Sequence, residues 1–219
     1  FNSGSSISQI IGPPIIVAVA IAVGWKMTFA AFGAFGLVFV VLFQLVYRKP
    51  IESFDPVQRP EKVSWQKLLR HREAYGIMLG KFLTDPVWWF YLYWMPAYLN
   101  DERGFDLKGI ALAIPLIYVL ATLMGIIGGW IPQKLMSLGW DVNRARKAIM
   151  LGSAALFPLT IIAVFAGNPW VAILLVSLAC GAHNTWSANI FTLSSDCFPS
   201  TAVGSITGLG GFAGGFGGI

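Results

Sequence analysis

Charged side chains are scarce in this chain, and their scarcity argues against a soluble fold. Of 219 residues, 11% are charged and 56% are hydrophobic, and the mean hydropathy is +0.69. A soluble domain carries roughly 25% charged residues, because its surface must be covered with groups that water solvates. A composition this apolar is typical of a protein that lies in lipid.

Cysteine and histidine are also rare, with two residues of each. Cys180 and Cys197 stand 17 residues apart, which in a helix separates them by roughly 25 Å, too far for a disulfide. The sequence has no Cys-x-x-Cys, His-Glu-x-x-His or Gly-x-Ser-x-Gly motif and no pair of aspartates within the apolar runs. These absences disfavour a membrane-embedded enzyme, and we expect neither a cofactor nor a metal site.

The net charge of +5 does not indicate a nucleic-acid partner. The Lys and Arg residues stand in short stretches between apolar runs, which is a pattern of membrane topology and not of a basic binding face. We therefore expect a lipid bilayer, and no nucleic acid, as the surroundings of this chain.

Seven apolar runs, each near the ~20 residues that span a bilayer, predict an all-α membrane protein. The runs cover residues 7–23, 27–47, 75–99, 107–131, 148–166, 170–193 and a last stretch that begins near residue 202. Short turns at residues 24–26 and 167–169 predict that the runs on either side of them form antiparallel hairpins.

The longest polar connection, residues 48–73, contains three prolines and divides the runs into two before it and five after it. We predict that residues 1–47 end one helical bundle, that residues 48–73 link it to the next, and that residues 74–219 form the second bundle. The chain starts at Phe1 and ends within an apolar run, so we expect an internal fragment. The opening and closing stretches are both rich in small residues, which fits either a protein of two similar halves or a likeness of composition alone. Residues 64–72 fit either a basic amphipathic helix on the membrane surface or a solvated loop.

Twelve of the fifteen Lys and Arg residues fall on one side of the predicted bilayer and three on the other. The twelve lie in or near two connections, residues 48–73 and 132–147, which the positive-inside rule assigns to the cytoplasm. The other three are Lys26, Arg103 and Lys108. We expect a multi-pass protein of the plasma (inner) membrane.

Polar residues deep in a membrane usually face a cavity or a partner, and Asp85 is the clearest case. It lies about ten residues into the run 75–99, near the predicted midplane, and Pro86 follows it. Two interpretations stay open for this carboxylate. Asp85 binds a sugar hydroxyl or a cation, or Lys81, one turn earlier, neutralises it as an i,i+4 partner.

Aromatic residues follow Asp85 directly and include Trp88, Trp89 and Tyr93. Trp89 and Tyr93 lie one and two turns past Asp85 on the same face. Aromatic rings suit the apolar face of a sugar ring, and Trp and Tyr also offer a hydrogen bond. The alternative is an interfacial aromatic belt, although Trp88 and Trp89 lie too deep for it. We predict that at least one of the aromatic residues in this run lines a cavity.

His183, Trp186 and Asn189 recur every three residues in the run 170–193. A polar face of this kind is costly in lipid, so a cavity or another helix must receive it. Trp186 and Asn189 are the strongest candidates for substrate contacts, because indole and amide groups bind hydroxyls and carboxylates without a net charge. His183 is either a titratable group or a neutral, hydrogen-bonded residue.

Asn2, Ser5 and Gln9 share one face of the first run and are candidates for the same cavity. Serine can instead be satisfied by the backbone or by helix packing, whereas a glutamine is harder to hide. Asp196 ends the run 170–193 and is a candidate for a structural or gating role.

Several segments of the chain resemble the major facilitator superfamily, and more narrowly the hexuronate transporters of its anion:cation symporter branch. The most specific are TDPVWWFYL and WSANIFTLSSD, and FNSGSS, RKP, RGFDLKGI, NRARK and GLGGFAGG add to them. The resemblance covers essentially the whole chain. It implies that the runs are helices five to eleven of twelve, in a fold of two six-helix bundles that rock about a central site.

The resemblance implies secondary transport of a small organic anion, such as a hexuronate or an aldonate, together with a proton or another cation. It assigns the arginine that holds the substrate carboxylate, and the acids that take the proton, to helices one to four, outside this chain. It also implies a gating loop between helices eight and nine. Gln133 and Leu138 stand at the Asp and Arg positions of that loop, while Arg144 and Arg146, with Lys81, remain candidates for gating or structural roles.

Other functions remain open on the residues alone. A neutral sugar or a sugar phosphate is an alternative solute, although a phosphate carrier should show more buried Arg or Lys than this chain has. A receptor or a membrane subunit that does not transport is a further alternative.

Overall fold

The structure is a computed structural model that describes residues 3–47 and 63–218, with the backbone alone at residues 3–6. Within these ranges it contains eight α-helices and no strand, so the prediction of an all-α fold is confirmed. The helices are α1 Ser3–Val46, α2 Trp65–Leu68, α3 Arg72–Asp101, α4 Leu107–Ser137, α5 Val142–Leu156, α6 Leu159–Phe165, α7 Pro169–Cys197 and α8 Ser200–Gly217. Asn2 and most of the predicted linker lie outside the described residues.

Four stretches of the described chain are long and apolar enough to cross a bilayer. They are Ile7–Val46, Leu107–Ser137, Val142–Phe165 and Pro169–Cys197. The first has 40 residues, about twice the length that a crossing needs. It is interrupted at Gly24, whose φ of 80° and ψ of 160° are not helical and suit a residue without a Cβ. This break coincides with the predicted turn, while the count of seven crossings and the hairpin direction stay predictions.

In two segments the observed helices differ from the helices that the sequence predicted. The run 148–166 was expected as one helix, but α5 ends at Leu156 and α6 begins at Leu159. Pro158 stands between them and lacks the N–H that would continue the helix. In the basic segment 64–72, α2 is a single turn whose Leu68 is buried against Phe198, so this turn is anchored to the bundle.

Small residues allow the two most extensive helix contacts. Where α4 crosses α7, Gly128 lies against Thr185, and Gly125 lies against Asn184. Where α3 runs beside α8, Gly210 and Gly214 leave room for the side chains of the facing helix. Glycine at such crossings lets helix backbones approach closely in lipid, where packing drives association. The glycine-rich segment at the end of the sequence is therefore a packing surface.

Candidate functional site

A cavity of about 600 Å³ opens between α1, α3, α4 and α7, within the range of ~300–1,000 Å³ typical of small-molecule sites. Its lining contains Ile7, Gln9, Ile10, Lys81, Asp85, Trp88, Trp89, Thr122, Gly125, Ile126, His183, Asn184, Ser187, Ala188 and Phe191. The cavity brings together Gln9, Asp85, Trp88, Trp89 and His183, which are five of the ten substrate contacts proposed from the sequence.

Lys81 and Asp85 form an ion pair in this lining. The Lys81 Nζ donates a hydrogen bond to Asp85 Oδ1 at 3.1 Å and lies 2.9 Å from Oδ2. The pair joins residues four apart on α3, as the sequence allowed. The two side chains are 7% and 18% exposed, and the ammonium also lies 4.5 Å from the centre of the Phe191 ring, a cation–π contact.

Aromatic rings form the wall next to the ion pair. Trp88 stacks on the imidazole of His183 with ring centres 5.1 Å apart and an angle of 16° between the planes, and it meets Tyr118 edge-on at 5.9 Å. Trp89 also lines the cavity and stacks on Tyr93. These contacts hold the two indoles in fixed orientations, as a wall for a ring-shaped ligand requires.

Two polar groups in the lining are buried without a partner. Neither ring nitrogen of His183 has a hydrogen-bond partner among the described residues, although its side chain is nearly fully buried. The hydroxyl of Thr122 is likewise buried without a hydrogen-bond partner among the described residues. Buried polar groups are satisfied in most native structures, and both of these belong to the cavity lining. They are therefore the groups that a polar ligand would satisfy.

The cavity also contains residues that were not proposed as contacts. Thr122 is one of few polar residues in the apolar run of α4, and this isolation is a signal that could have identified it. On α7, the lining residues Asn184, Ser187 and Phe191 follow a spacing of three and four, which keeps to one helix face. Residues that recur every three positions rotate gradually around a helix of 3.6 residues per turn. Trp186 and Asn189 therefore lie away from the face that lines the cavity.

Five of the proposed contacts are not part of this lining. Tyr93 is 68% exposed beyond Trp89, and the indole N–H of Trp186 is buried without a partner among the described residues. Asn189 is 0% exposed, and its amide is hydrogen-bonded to the Arg146 side chain and to two backbone carbonyls. Asn2 lies outside the described residues, and so does the side chain of Ser5.

Asn189 belongs to a second buried polar network, at the end of α7. Arg146 on α5 donates from Nε to Asp196 Oδ2 at 3.0 Å and from an Nη to Asn189 Oδ1 at 3.2 Å. The amide of Asn189 donates to the carbonyl oxygens of Gly128 at 3.1 Å and Thr185 at 2.9 Å. The network therefore ties α4, α5 and α7 together. Arg144, two residues from Arg146, is exposed.

The lining can bind a polar ring compound but contains no arrangement for covalent chemistry. Amide, hydroxyl, imidazole and indole groups surround one ammonium and one carboxylate. Within residues 3–47 and 63–218, His, Cys, Asp and Glu residues form no group of three that could hold a metal. The side chains fit reversible binding of a hydroxylated solute.

Comparison with known proteins identifies relatives that are named as sugar-acid transporters. The chain is 30% identical to the hexuronate transporter of Escherichia coli (strain K12), across 97% of this chain and 54% of that protein. It is 30% identical to the galacturonate transporter of Dickeya chrysanthemi, across 79% of this chain and 55% of that protein. It is 25% identical to the D-galactonate transporter of Escherichia coli O6:H1, across 100% and 56%. The chain thus spans about half the length of these relatives.

Solved structures support the same fold. A bacterial homologue of the human lysosomal transporter Spinster, in an inward-facing and unoccupied conformation, superposes with a TM-score of 0.70 at 17% identity, covering 89% of this chain and 42% of that one. The model of the Major Facilitator Superfamily matches residues 1–219. Because this match extends over the whole chain, the resemblance seen in the sequence is confirmed, and the chain belongs to the Major Facilitator Superfamily.

Proposed function

We propose that this chain is part of a secondary active transporter that carries a small organic anion, a sugar acid of the hexuronate or aldonate type. The observation that carries the proposal is the cavity, in which the Trp88 and Trp89 indoles stand beside amide and hydroxyl groups and the ammonium of Lys81. Indoles suit the ring of a hexuronate, hydroxyls and amides suit its hydroxyl groups, and a cation suits its carboxylate. The names of the relatives support the same class of solute.

Transport would proceed by alternating access, coupled to a proton or another cation. The cavity lies between α1 and the helices that follow the linker, and transporters of this architecture bind their solute between two halves. Binding shifts the populations of outward- and inward-facing states by the difference in solute affinity between them. The Arg146–Asp196 network, with Arg144 beside it, is the proposed gating or structural contact of α5 and α7.

The proposed setting is the plasma membrane, with residues 48–73 and 132–147 on its cytoplasmic side and the two bundles divided at the linker. The charge asymmetry of the sequence supports this orientation. Single cysteines introduced at Arg144 and at Asp101 test it, in a protein whose Cys180 and Cys197 are replaced by serine. A membrane-impermeant maleimide added to intact cells should label the Asp101→Cys protein and leave the Arg144→Cys protein unlabelled. The reverse pattern would overturn the orientation.

The direct test of function is uptake by the full-length protein in proteoliposomes. Radiolabelled D-glucuronate, D-galacturonate and D-galactonate should enter with saturable kinetics, faster when the lumen is alkaline relative to the outside. Absence of uptake for all three acids, with protein that is folded and inserted, would refute the proposal. Glucose and glucose 6-phosphate complete the panel.

A neutral sugar is the second candidate, because the one cation of the lining is already paired. Lys81 forms an ion pair with Asp85, and a lining with balanced charge has no excess attraction for an anion. Competition separates the two candidates. If the site takes acids, labelled glucuronate should enter and unlabelled glucose should fail to inhibit its uptake. If the site takes neutral sugars, labelled glucose should enter and unlabelled glucuronate should fail to inhibit its uptake.

A further inference from the structure

The Lys81–Asp85 ion pair lies in the wall of the cavity, and within residues 3–47 and 63–218 no further hydrogen bond joins it to other side chains. The Lys81 Nζ donates to Asp85 Oδ1, lies 2.9 Å from Oδ2 and makes a cation–π contact with the Phe191 ring. Both residues line the cavity. A ligand that enters the cavity therefore meets both charges directly.

The helices around the pair bring no further charged side chain to it. From α8, the pair meets Gly210 and Gly214, and Gly214 lies directly against the carboxylate of Asp85. The lining residues of α1 and α4 are uncharged, and from α7 the cavity receives one titratable group, His183. With His183 neutral, the described lining has a net charge of zero.

A lining with a net charge of zero offers an anionic solute no excess positive charge to bind. In the described lining, an anion meets no unpaired cation that would act as its counter-ion when it leaves water. Lys81 cannot supply that counter-ion while it is paired with Asp85. Neutralising Asp85 with a proton frees the ammonium and keeps the charge of the occupied cavity at zero.

We propose that Lys81 and Asp85 form an exchange site, in which the solute carboxylate takes the place of Asp85 on Lys81 and Asp85 accepts the proton that enters with the solute. In the empty site, Lys81 ammonium pairs with Asp85 carboxylate. In the occupied site, Lys81 ammonium pairs with the solute carboxylate, and Asp85 is a neutral acid. One proton and one monoanion enter together. No other group changes its charge, and the O–H bond of Asp85 is the one covalent bond that forms.

Release reverses the same exchange. When the proton leaves Asp85, the carboxylate competes again for Lys81, and the solute anion is expelled. Each ligand therefore raises the affinity of the site for the other, as linkage requires. This inference rests on the proposed transport of a sugar acid, and it assigns a coupling role to α3, outside the four helices to which the family resemblance assigned the coupling residues.

The first experiment measures proton uptake when D-glucuronate binds to the full-length protein in weakly buffered detergent solution at pH 7.5. We expect about one proton taken up per solute bound, and a Kd that rises up to tenfold per pH unit where Asp85 is ionised in the empty site. Asp85→Asn should bind the anion with no proton uptake and with a Kd that is independent of pH. Asp101→Asn makes the same substitution at an exposed position of α3 outside the cavity lining; it is the matched control and should retain both the uptake and the pH dependence. Proton uptake that persists in Asp85→Asn, or that is lost in Asp101→Asn, would overturn the proposal.

A second measurement covers the case in which Asp85→Asn does not fold. Lys81→Gln should weaken D-glucuronate binding at least thirtyfold, and Lys81→Arg should restore most of it. If glucuronate binds to the wild-type protein without proton uptake, that result by itself refutes the exchange.

Solute movement distinguishes this failure from failure of the proposed function. In proteoliposomes, Asp85→Asn should still exchange labelled for unlabelled glucuronate but should not accumulate it in response to a pH gradient. Accumulation by Asp85→Asn equal to that of wild type would contradict the exchange site alone. A wild-type protein that moves no sugar acid would contradict the proposed function as well.

Discussion

Among the residues that the structure describes, two ion pairs between partly buried side chains, Lys81–Asp85 and Arg146–Asp196, differ in how completely they are satisfied. Arg146 binds a carboxylate and an amide on another helix, and that amide also binds two backbone carbonyls. Lys81 binds a carboxylate one turn away on its own helix, next to open space. The Arg146–Asp196 pair, together with Asn189, joins three helices, whereas the Lys81–Asp85 pair joins none.

This difference separates a structural contact from an exchangeable one. Breaking a pair that connects helices leaves several groups unsatisfied at once and loosens their packing. A pair within one helix next to a cavity can change partners without moving a backbone. Similar burial and similar chemistry can therefore support opposite roles, and the surrounding hydrogen bonds decide which role applies.

The largest effect is expected from removing Arg146. Arg146→Ala leaves Asp196 and the Asn189 carbonyl without their donor, which costs about 3–5 kcal/mol for a fully buried pair and about 3 kcal/mol here, since the Asp196 side chain is 28% exposed. We expect thermal unfolding in detergent, followed by tryptophan fluorescence, to occur several degrees lower than in wild type. Arg144→Ala removes the same charge at an exposed position of the same helix and should leave the Tm unchanged. Equal shifts in both variants would show that net charge, and not the network, sets the stability.

Gly214 offers a way to disturb the Lys81–Asp85 pair without changing either charge. A Cβ at this position would meet the Asp85 carboxylate, and overpacking of this kind costs about 2 kcal/mol. Because this displaces Asp85 from Lys81 and frees the ammonium for the solute carboxylate, Gly214→Ala should strengthen glucuronate binding by up to roughly thirtyfold, measured by calorimetry. Gly215→Ala places the same methyl group in open space on the same helix and should bind as wild type does. Unchanged binding in Gly214→Ala would mean that the position of Asp85 does not matter to the solute.

Sequence patterns predicted the fold well because length and apolarity are local properties. Each long run that the sequence marks as apolar is helical where it is described, and the turn at Gly24 is a break in α1. The break at Pro158 was missed, although proline alone is a signal for it. Residues Lys81, Asp85, Trp88 and Trp89 were also identifiable, since polar and aromatic groups at the depth of a membrane midplane need a special environment.

The remaining part of the site depends on how helices rotate against one another, which a single sequence does not encode locally. The face of α7 that meets the cavity passes through Asn184 and Ser187, while Asn189 turns toward Gly128 on α4. Both faces carry polar residues, so periodicity alone could not tell a ligand contact from a contact between helices. The close approach at Gly128 is what determines the rotation.

Two asparagines on α7 sharpen the comparison further. Asn189→Ala removes the amide that joins Arg146 to Gly128 and should lower stability by about 1–2 kcal/mol, seen as a lower Tm. Asn184→Ala removes an amide from the cavity lining and should weaken glucuronate binding severalfold while the Tm changes little. If Asn189→Ala weakens binding more than Asn184→Ala does, Asn189 is a substrate contact, as its sequence pattern first suggested.

Substitutions of Arg103 test whether a partly buried cation can be stabilised without a carboxylate partner. It donates to the Tyr98 hydroxyl at 2.7 Å and to the carbonyl oxygens of Ala163, Val164 and Ala166 at 2.6–3.0 Å. These carbonyls end α6, where a helix leaves acceptors unpaired and carries partial negative charge.

Arg103→Lys keeps the charge but cannot span three carbonyls from one ammonium. We expect a loss of about 1 kcal/mol, the smallest effect in the series because Arg103 is partly exposed, detected as a shift of a few degrees in the Tm. Arg103→Gln should lose more, since the charge goes as well. If Lys at this position melts as wild type does, charge alone satisfies the end of α6. In that case the number of hydrogen bonds would not determine how strongly a cation is held. The difference between the Lys81–Asp85 and Arg146–Asp196 pairs would then have to be explained by charge and burial.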